Sequence, residues 1–133
     1  MSEQLPKVLI IDDDLGVLFL HEIIITESSL HPKPMTFSKA EDALTYITPL
    51  DHSQSRFLIF LDINMPTMNG WKFLEALENQ IHHAAIKVIM VTSSLSRAER
   101  EKSKSYRMVV DFWEKPMEEN QVESLIKRLT DWF

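Results

Sequence analysis

The sequence predicts an α/β domain: a doubly wound, five-stranded parallel sheet with helices on both faces. Alternation is the first reason. Short apolar, β-branched runs stand at Val8–Ile11, Phe57–Leu61, Val88–Val91 and Val109–Trp113, with a weaker one at Met35–Phe37. A helical pattern follows each run, and this strand–helix order implies right-handed crossovers between parallel strands. The second reason is that Val8–Ile11 and Val88–Val91 contain no polar residue. Strands of that kind are covered on both faces. The third is that polar residues follow directly on the runs, at the edge where parallel sheets bind ligands.

The helices read in order. Leu15–Leu30 is long and mostly apolar. Ser38-Lys39-Ala40-Glu41 has capping-box spacing and opens a helix to about Leu50. A third runs from Asn69 or Gly70 to Asn79, with Trp71, Leu74 and Leu77 at three-residue spacing. Ser96-Arg97-Ala98-Glu99 is a second capping box, before a helix rich in Arg, Lys and Glu. The last, about Glu118–Phe133, sets Val122, Leu125, Ile126 and Leu129 on one face. Pro32 and Pro34 mark the loop before the second strand, and Pro49–Ser55 the loop before the third.

The chain of 133 residues has the length of one domain, 1–133 with its core at about 7–129. A chain this long buries roughly two thirds of its unfolded surface, enough to fold without staples. It contains no cysteine, which excludes disulfides, thiolate metal sites and cysteine nucleophiles and fits a reducing compartment. A net charge of −6 argues against a nucleic-acid-binding surface. No segment has the pattern of a signal peptide or the apolar length of a membrane span.

The strand ends carry complementary chemistry. The first run ends in Asp12-Asp13-Asp14, the third in Asp62, the fourth in Thr92-Ser93-Ser94, and the fifth precedes Lys115-Pro116. A single strand-end aspartate is ordinarily a helix cap, and Asp14 is expected to be one. Several carboxylates at one edge repel unless a cation sits among them. Oxygen donors without His or Cys suit Mg²⁺, with Mn²⁺ acceptable to the same donors. A carboxylate beside such a metal can attack a phosphoryl group and form an acyl phosphate. Lys115 and Thr92 would then serve the phosphoryl oxygens.

Val8-Leu9-Ile10-Ile11-Asp12-Asp13-Asp14, Asp62 to Gly70, Val91-Thr92-Ser93 and Glu114-Lys115-Pro116 together resemble the receiver domain of bacterial two-component response regulators. The resemblance covers about Lys7 to Leu129 and implies the strand order 2-1-3-4-5. It implies Asp62 as phosphoacceptor, Asp12 and Asp13 as the acidic pair for Mg²⁺, and the backbone carbonyl of Asn64 as a further metal ligand. Thr92 resembles the switch hydroxyl and Phe112 the switch aromatic. Lys115 resembles the lysine that pairs with the phosphoryl group, and Pro116 the proline after a cis bond. The implied protein is a cytoplasmic regulator that catalyses only its own phosphorylation and dephosphorylation. A histidine kinase or histidine phosphotransfer protein donates, and a downstream protein reads the face made by the fourth helix, fifth strand and fifth helix.

Two departures from the family lie beside the surface it uses to signal. Met108-Val109 replaces a usual Gly-Ala pair, so the turn into the fifth strand must manage without glycine. Trp113 stands where an aliphatic residue is usual. Leu15 and Phe19 share one face of the first helix and either pack in the core or stay exposed near Asp62 as a kinase-docking surface. Gly70 is expected to adopt a backbone angle that other residues resist, and Trp132 and Phe133 are expected to be exposed. Two other classes compete with the receiver reading: an aspartyl-phosphate phosphatase, which wants an acid where Asn64 stands, and a binding module that has lost phosphorylation.

Overall fold

The computed structural model describes residues 5–28, 30–31, 33–93 and 96–132. The elements alternate as β1 (Lys7–Ile11), α1 (Leu15–Glu27), β2 (Met35–Phe37), α2 (Ala40–Ile47), β3 (Arg56–Leu61), α3 (Gly70–Gln80), β4 (Ala85–Thr92), α4 (Arg97–Ser103), β5 (Val109–Glu114) and α5 (Glu119–Arg128). The five strands form one parallel sheet in the order β2-β1-β3-β4-β5.

Alternate residues of each central strand feed two cores. Leu9, Ile11, Phe57, Ile59, Leu61, Val88 and Met90 face α2 and α3, meeting Ala43, Ile47, Phe73, Leu74 and Leu77. Val8, Ile10, Leu58, Phe60, Ile89 and Val91 face α1 and α5, meeting Leu18, Ile25, Val122 and Leu125. Every position of the Val8–Ile11 run is therefore buried, which is why it shows no polar alternation.

Register decides where the polar residues land. Ile11 pairs with Leu61, Leu61 with Met90, and Thr92 with Glu114. The ladder continues one residue further: Asp12 N–H donates to Phe37 O (3.1 Å), Asp62 N–H to Ile11 O (3.0 Å) and Lys115 N–H to Thr92 O (2.7 Å). Asp12, Asp62, Thr92 and Lys115 thus emerge at one edge of the sheet.

Several element ends differ from the sequence expectation. α1 stops at Glu27, short of Leu30. Ser38 does not cap α2, whose N-cap is Lys39 with no side-chain hydrogen bond, so the serine sits one residue too early. α2 also ends at Ile47, and Thr48–Leu50 continue as a single 3₁₀ turn with Pro49 in its first positions. A proline there removes the donor that a longer α-helix needs. Conversely, α5 starts after Glu118, whose N–H donates to the Gln121 side chain at 2.8 Å. It ends at Arg128, and Thr130–Trp132 form a 3₁₀ turn. Trp132 is half-buried against the α1–α5 core rather than exposed, and Arg56 donates to its carbonyl; Phe133 lies outside the described residues.

The turn into β5 is closed by Val109 N–H donating to Tyr106 O at 3.1 Å and needs no positive φ, and the strand then carries a bulge. Val88 pairs with Val109 but Ile89 pairs with Asp111, which leaves the exposed Val110 as the extra residue. Trp113 points into the α1–α5 core, 5.7 Å from the Phe60 ring. Its size fills the interior rather than altering the outer face.

Candidate functional site

The site grows from three loops at the C-terminal edge of the sheet. After β1, Asp12 is buried and Asp13 exposed. One Asp12 oxygen accepts from Asp14 N–H (2.9 Å), which turns the chain toward α1. Asp14 itself caps that helix, accepting from Gly16 N–H (3.0 Å) and Val17 N–H (3.1 Å). Its carboxylate is committed to the fold, as a strand-end aspartate ordinarily is.

After β3, Asp62 is 3 % exposed. The following loop returns on itself: Gly70 N–H donates to Ile63 O at 2.8 Å, and Asn69 caps α3 by accepting from Lys72 N–H at 2.9 Å. Gly70 does not have a positive φ, contrary to expectation. Its reason is close approach, because a Cβ there would lie 2.6 Å from the Asp62 carbonyl oxygen. The left-handed residue is instead Thr67, with φ 68°. Met68 N–H donates to Pro66 O at 2.8 Å across it, the hydrogen bond of a tight γ-turn. For a β-branched residue this angle is strained. Thr67→Gly is expected to raise stability by about 1 kcal/mol in chemical denaturation; a loss would show that the threonine side chain is favourable here.

After β5 comes Lys115, whose peptide bond to Pro116 is cis. Its Nζ lies 2.7 Å from Asp12 Oδ2 and 3.2 Å from Asp62 Oδ1. Thr92 is fully buried at the end of β4, Ser93 is exposed, and Ser94 lies outside the described residues. Asn64 is exposed in the loop after Asp62. Phe112 is buried with the α2–α3 core, and the Arg100 guanidinium of α4 lies 5.4 Å from its ring centre.

Burial, and then repulsion from Asp12, push the Asp62 carboxyl up to about 6; the Lys115 charge opposes them. Burial also works against the Lys115 charge, but its pairing with Asp12 and Asp62 outweighs this and its pKa is raised. Asp12, Asp13 and Asp62 each offer a carboxylate oxygen, and these lie within 4.8 Å of one another. Three carboxylates against one ammonium leave an excess of negative charge, two of them, Asp12 and Asp62, being buried. An oxygen-only donor set with such an excess fits a hard divalent cation. The residues present therefore suit a metal.

Leu15 and Phe19 are 69 % and 65 % exposed on α1, which rules out core packing for both. Sequence reasoning missed His21. It is buried on α1, and its Nε2 accepts from Met117 N–H at 3.1 Å. A lone histidine in an apolar helix was its only signal.

Residues 8–127 match the family model described as the response regulator receiver domain. Among solved structures, the chain is similar to a two-component response regulator from Cytophaga hutchinsonii, at 23 % identity and a TM-score of 0.83, covering 96 % of this chain and 98 % of that one. It is similar to a CheY-like receiver domain protein from Methanospirillum hungatei, at 24 % identity and TM-score 0.70, over 97 % and 96 % of the two chains. The chemotaxis protein CheY4 of Vibrio cholerae aligns over 98 % of this chain and 100 % of its own, at 22 % identity and TM-score 0.70. At these identities the solved structures bear on the fold. The comparison with curated proteins found no match.

Proposed function

We propose, from the premise that this chain belongs to the response regulator receiver domain family, that Asp62 accepts a phosphoryl group in a Mg²⁺-dependent reaction and that the modification switches protein contacts. Family membership itself implies a phosphorylation-activated signalling switch. The finer reading rests on one observation: Asp12, Asp13, Asp62 and Lys115 converge at one sheet edge, with Asp62 nearly dry.

The donor in this reading is a phosphohistidine on a histidine kinase or a histidine phosphotransfer protein. An Asp62 oxygen attacks phosphorus, and an O–P bond forms as the P–N bond breaks. The electron pair returns to the imidazole, which takes a proton from solvent. Mg²⁺, held by Asp12, Asp13, Asp62 and the Asn64 carbonyl, would supply positive charge beside the phosphoryl oxygens. Lys115 moves little to reach them, since its ammonium already lies 3.2 Å from Asp62. Thr92 donates its hydroxyl to another oxygen. Hydrolysis later returns the carboxylate and inorganic phosphate.

Shifting a switch from mostly off to mostly on takes about 5.5 kcal/mol of differential stabilisation. Charge-assisted bonds from Lys115 and Thr92, about 1.5–3 kcal/mol each, are of that order. Phe112 would carry the change outward, toward α4 and the face it shares with β5 and α5. A single domain over 1–133 acting in the cytoplasm completes the proposal. Among the described residues no helix is long and apolar enough to cross a membrane.

Incubation with acetyl phosphate and Mg²⁺ is expected to add one phosphoryl group to the intact chain, read by mass spectrometry. Chelating the metal is expected to prevent it. No gain of mass with metal present overturns the reading, and a gain that chelation leaves untouched overturns its metal dependence.

A further inference from the structure

His21 and Met117 are 96 residues apart in the chain, yet His21 Nε2 accepts the Met117 backbone N–H at 3.1 Å, with both residues buried. Met117 stands two residues after Lys115. The segment between β5 and α5 is therefore pinned on both sides of Pro116. Lys115 N–H is held by Thr92 O at 2.7 Å, and Met117 N–H is held by His21. Pro116 between them has no N–H to offer.

We propose that His21 is a positioning residue: by anchoring Met117 it holds the Lys115 ammonium between Asp12 and Asp62, and it links helix α1 to the phosphoryl site. This rests on the reading of Asp62 and Lys115 given above. Burial, and then the Lys115 charge, push the His21 pKa down to about 4. The ring is thus neutral near pH 7 and Nε2 keeps the lone pair that the bond needs. An apolar side chain of similar size would fill the same space but would leave the Met117 N–H without its acceptor. The segment would then be free to move, and the lysine with it.

The bond is testable without any variant. A scalar coupling between the Met117 amide nitrogen and His21 Nε2 is expected in the labelled wild-type protein, and its absence overturns the proposal. His21→Leu removes the acceptor, whereas His21→Gln retains one. His21→Leu is expected to slow phosphorylation by acetyl phosphate about tenfold at saturating Mg²⁺, and His21→Gln to restore most of the rate. His21→Met replaces the leucine variant if that does not fold. In a Lys115→Ala background the His21 substitution is expected to cause no further slowing, because it acts through the lysine. An unchanged rate in folded His21→Leu, or equal slowing in both backgrounds, overturns the linkage. The Lys115 Nζ resonance of the metal-free protein gives a readout independent of phosphorylation, and it is expected to shift in His21→Leu. If wild type takes no phosphate, the reading of Asp62 fails, while an unmoved Nζ signal condemns the His21 proposal separately.

Discussion

Asp62→Asn is expected to abolish phosphate incorporation while making the metal-free protein more stable. The first effect follows from the nucleophile, since an amide oxygen is far weaker than a carboxylate and cannot yield the acyl phosphate. The second follows from burial. The folded carboxyl has a pKa of about 6 against an ordinary 3.8. Between those values the folded protein keeps a proton that the unfolded chain has released, so stability falls as pH rises through that window. Above about pH 6 the whole deficit is present, and below about 4 it is gone. Allowing for solvent screening and the nearby lysine, the deficit is about 1–3 kcal/mol. Thermal melts in chelator at pH 7.5 are expected to favour the variant, and melts near pH 4 to show the two proteins alike. Mg²⁺ is expected to stabilise wild type more than the variant. His21, whose lowered pKa acts in the opposite sense, is common to both proteins and cancels in the difference. A variant no more stable than wild type at pH 7.5 would show that the carboxylates are not crowded as described. A variant that gains phosphate normally would place the acceptor elsewhere.

Gly70→Ala is expected to cost about 2–4 kcal/mol in chemical denaturation. The new Cβ would meet the Asp62 carbonyl oxygen at 2.6 Å and Ile63 Cα at 3.0 Å. Both are backbone atoms of Asp62 and its neighbour, so neither can swing aside as a side chain would. Relief requires breaking the Gly70 N–H to Ile63 O bond of 2.8 Å or moving Asp62. Phosphorylation is therefore expected to slow along with the loss of stability. Gly16→Ala is the control. Its Cβ would meet only the Asp14 side chain, at 3.3 Å, and helix propensity favours alanine there, so its change is expected within about 1 kcal/mol of wild type. A Gly70→Ala protein as stable as that control would show that the loop relaxes freely.

The readable parts of the chain were those with local causes. Val8–Ile11 reads as a buried strand because every side chain on it must be apolar when both faces are covered. Asp14 reads as a cap because its partners, Gly16 and Val17, lie within three residues. Capping was less readable where a second residue competed. Ser38 had the right spacing to cap α2, yet the helix begins after Lys39. Glu118 stands at the N-cap of α5 although glutamate is not favoured there, and it is the Gln121 side chain that reaches back to accept its N–H at 2.8 Å.

By itself the sequence determined the α/β alternation, the parallel sheet and the polar residues following each strand. Apolar periodicity and helix-start chemistry act over a few residues and leave their mark in composition. Tertiary structure alone decided that Lys115 pairs with Asp12 more closely than with Asp62, that Gly70 is needed for space rather than for its angle, and that Thr67 takes the left-handed turn. It also buried Trp113 against Phe60 and joined His21 to Met117. These depend on distances between segments far apart in the chain, set by strand register and by which core each helix covers. No local pattern encodes such distances, because they arise only once the sheet has assembled.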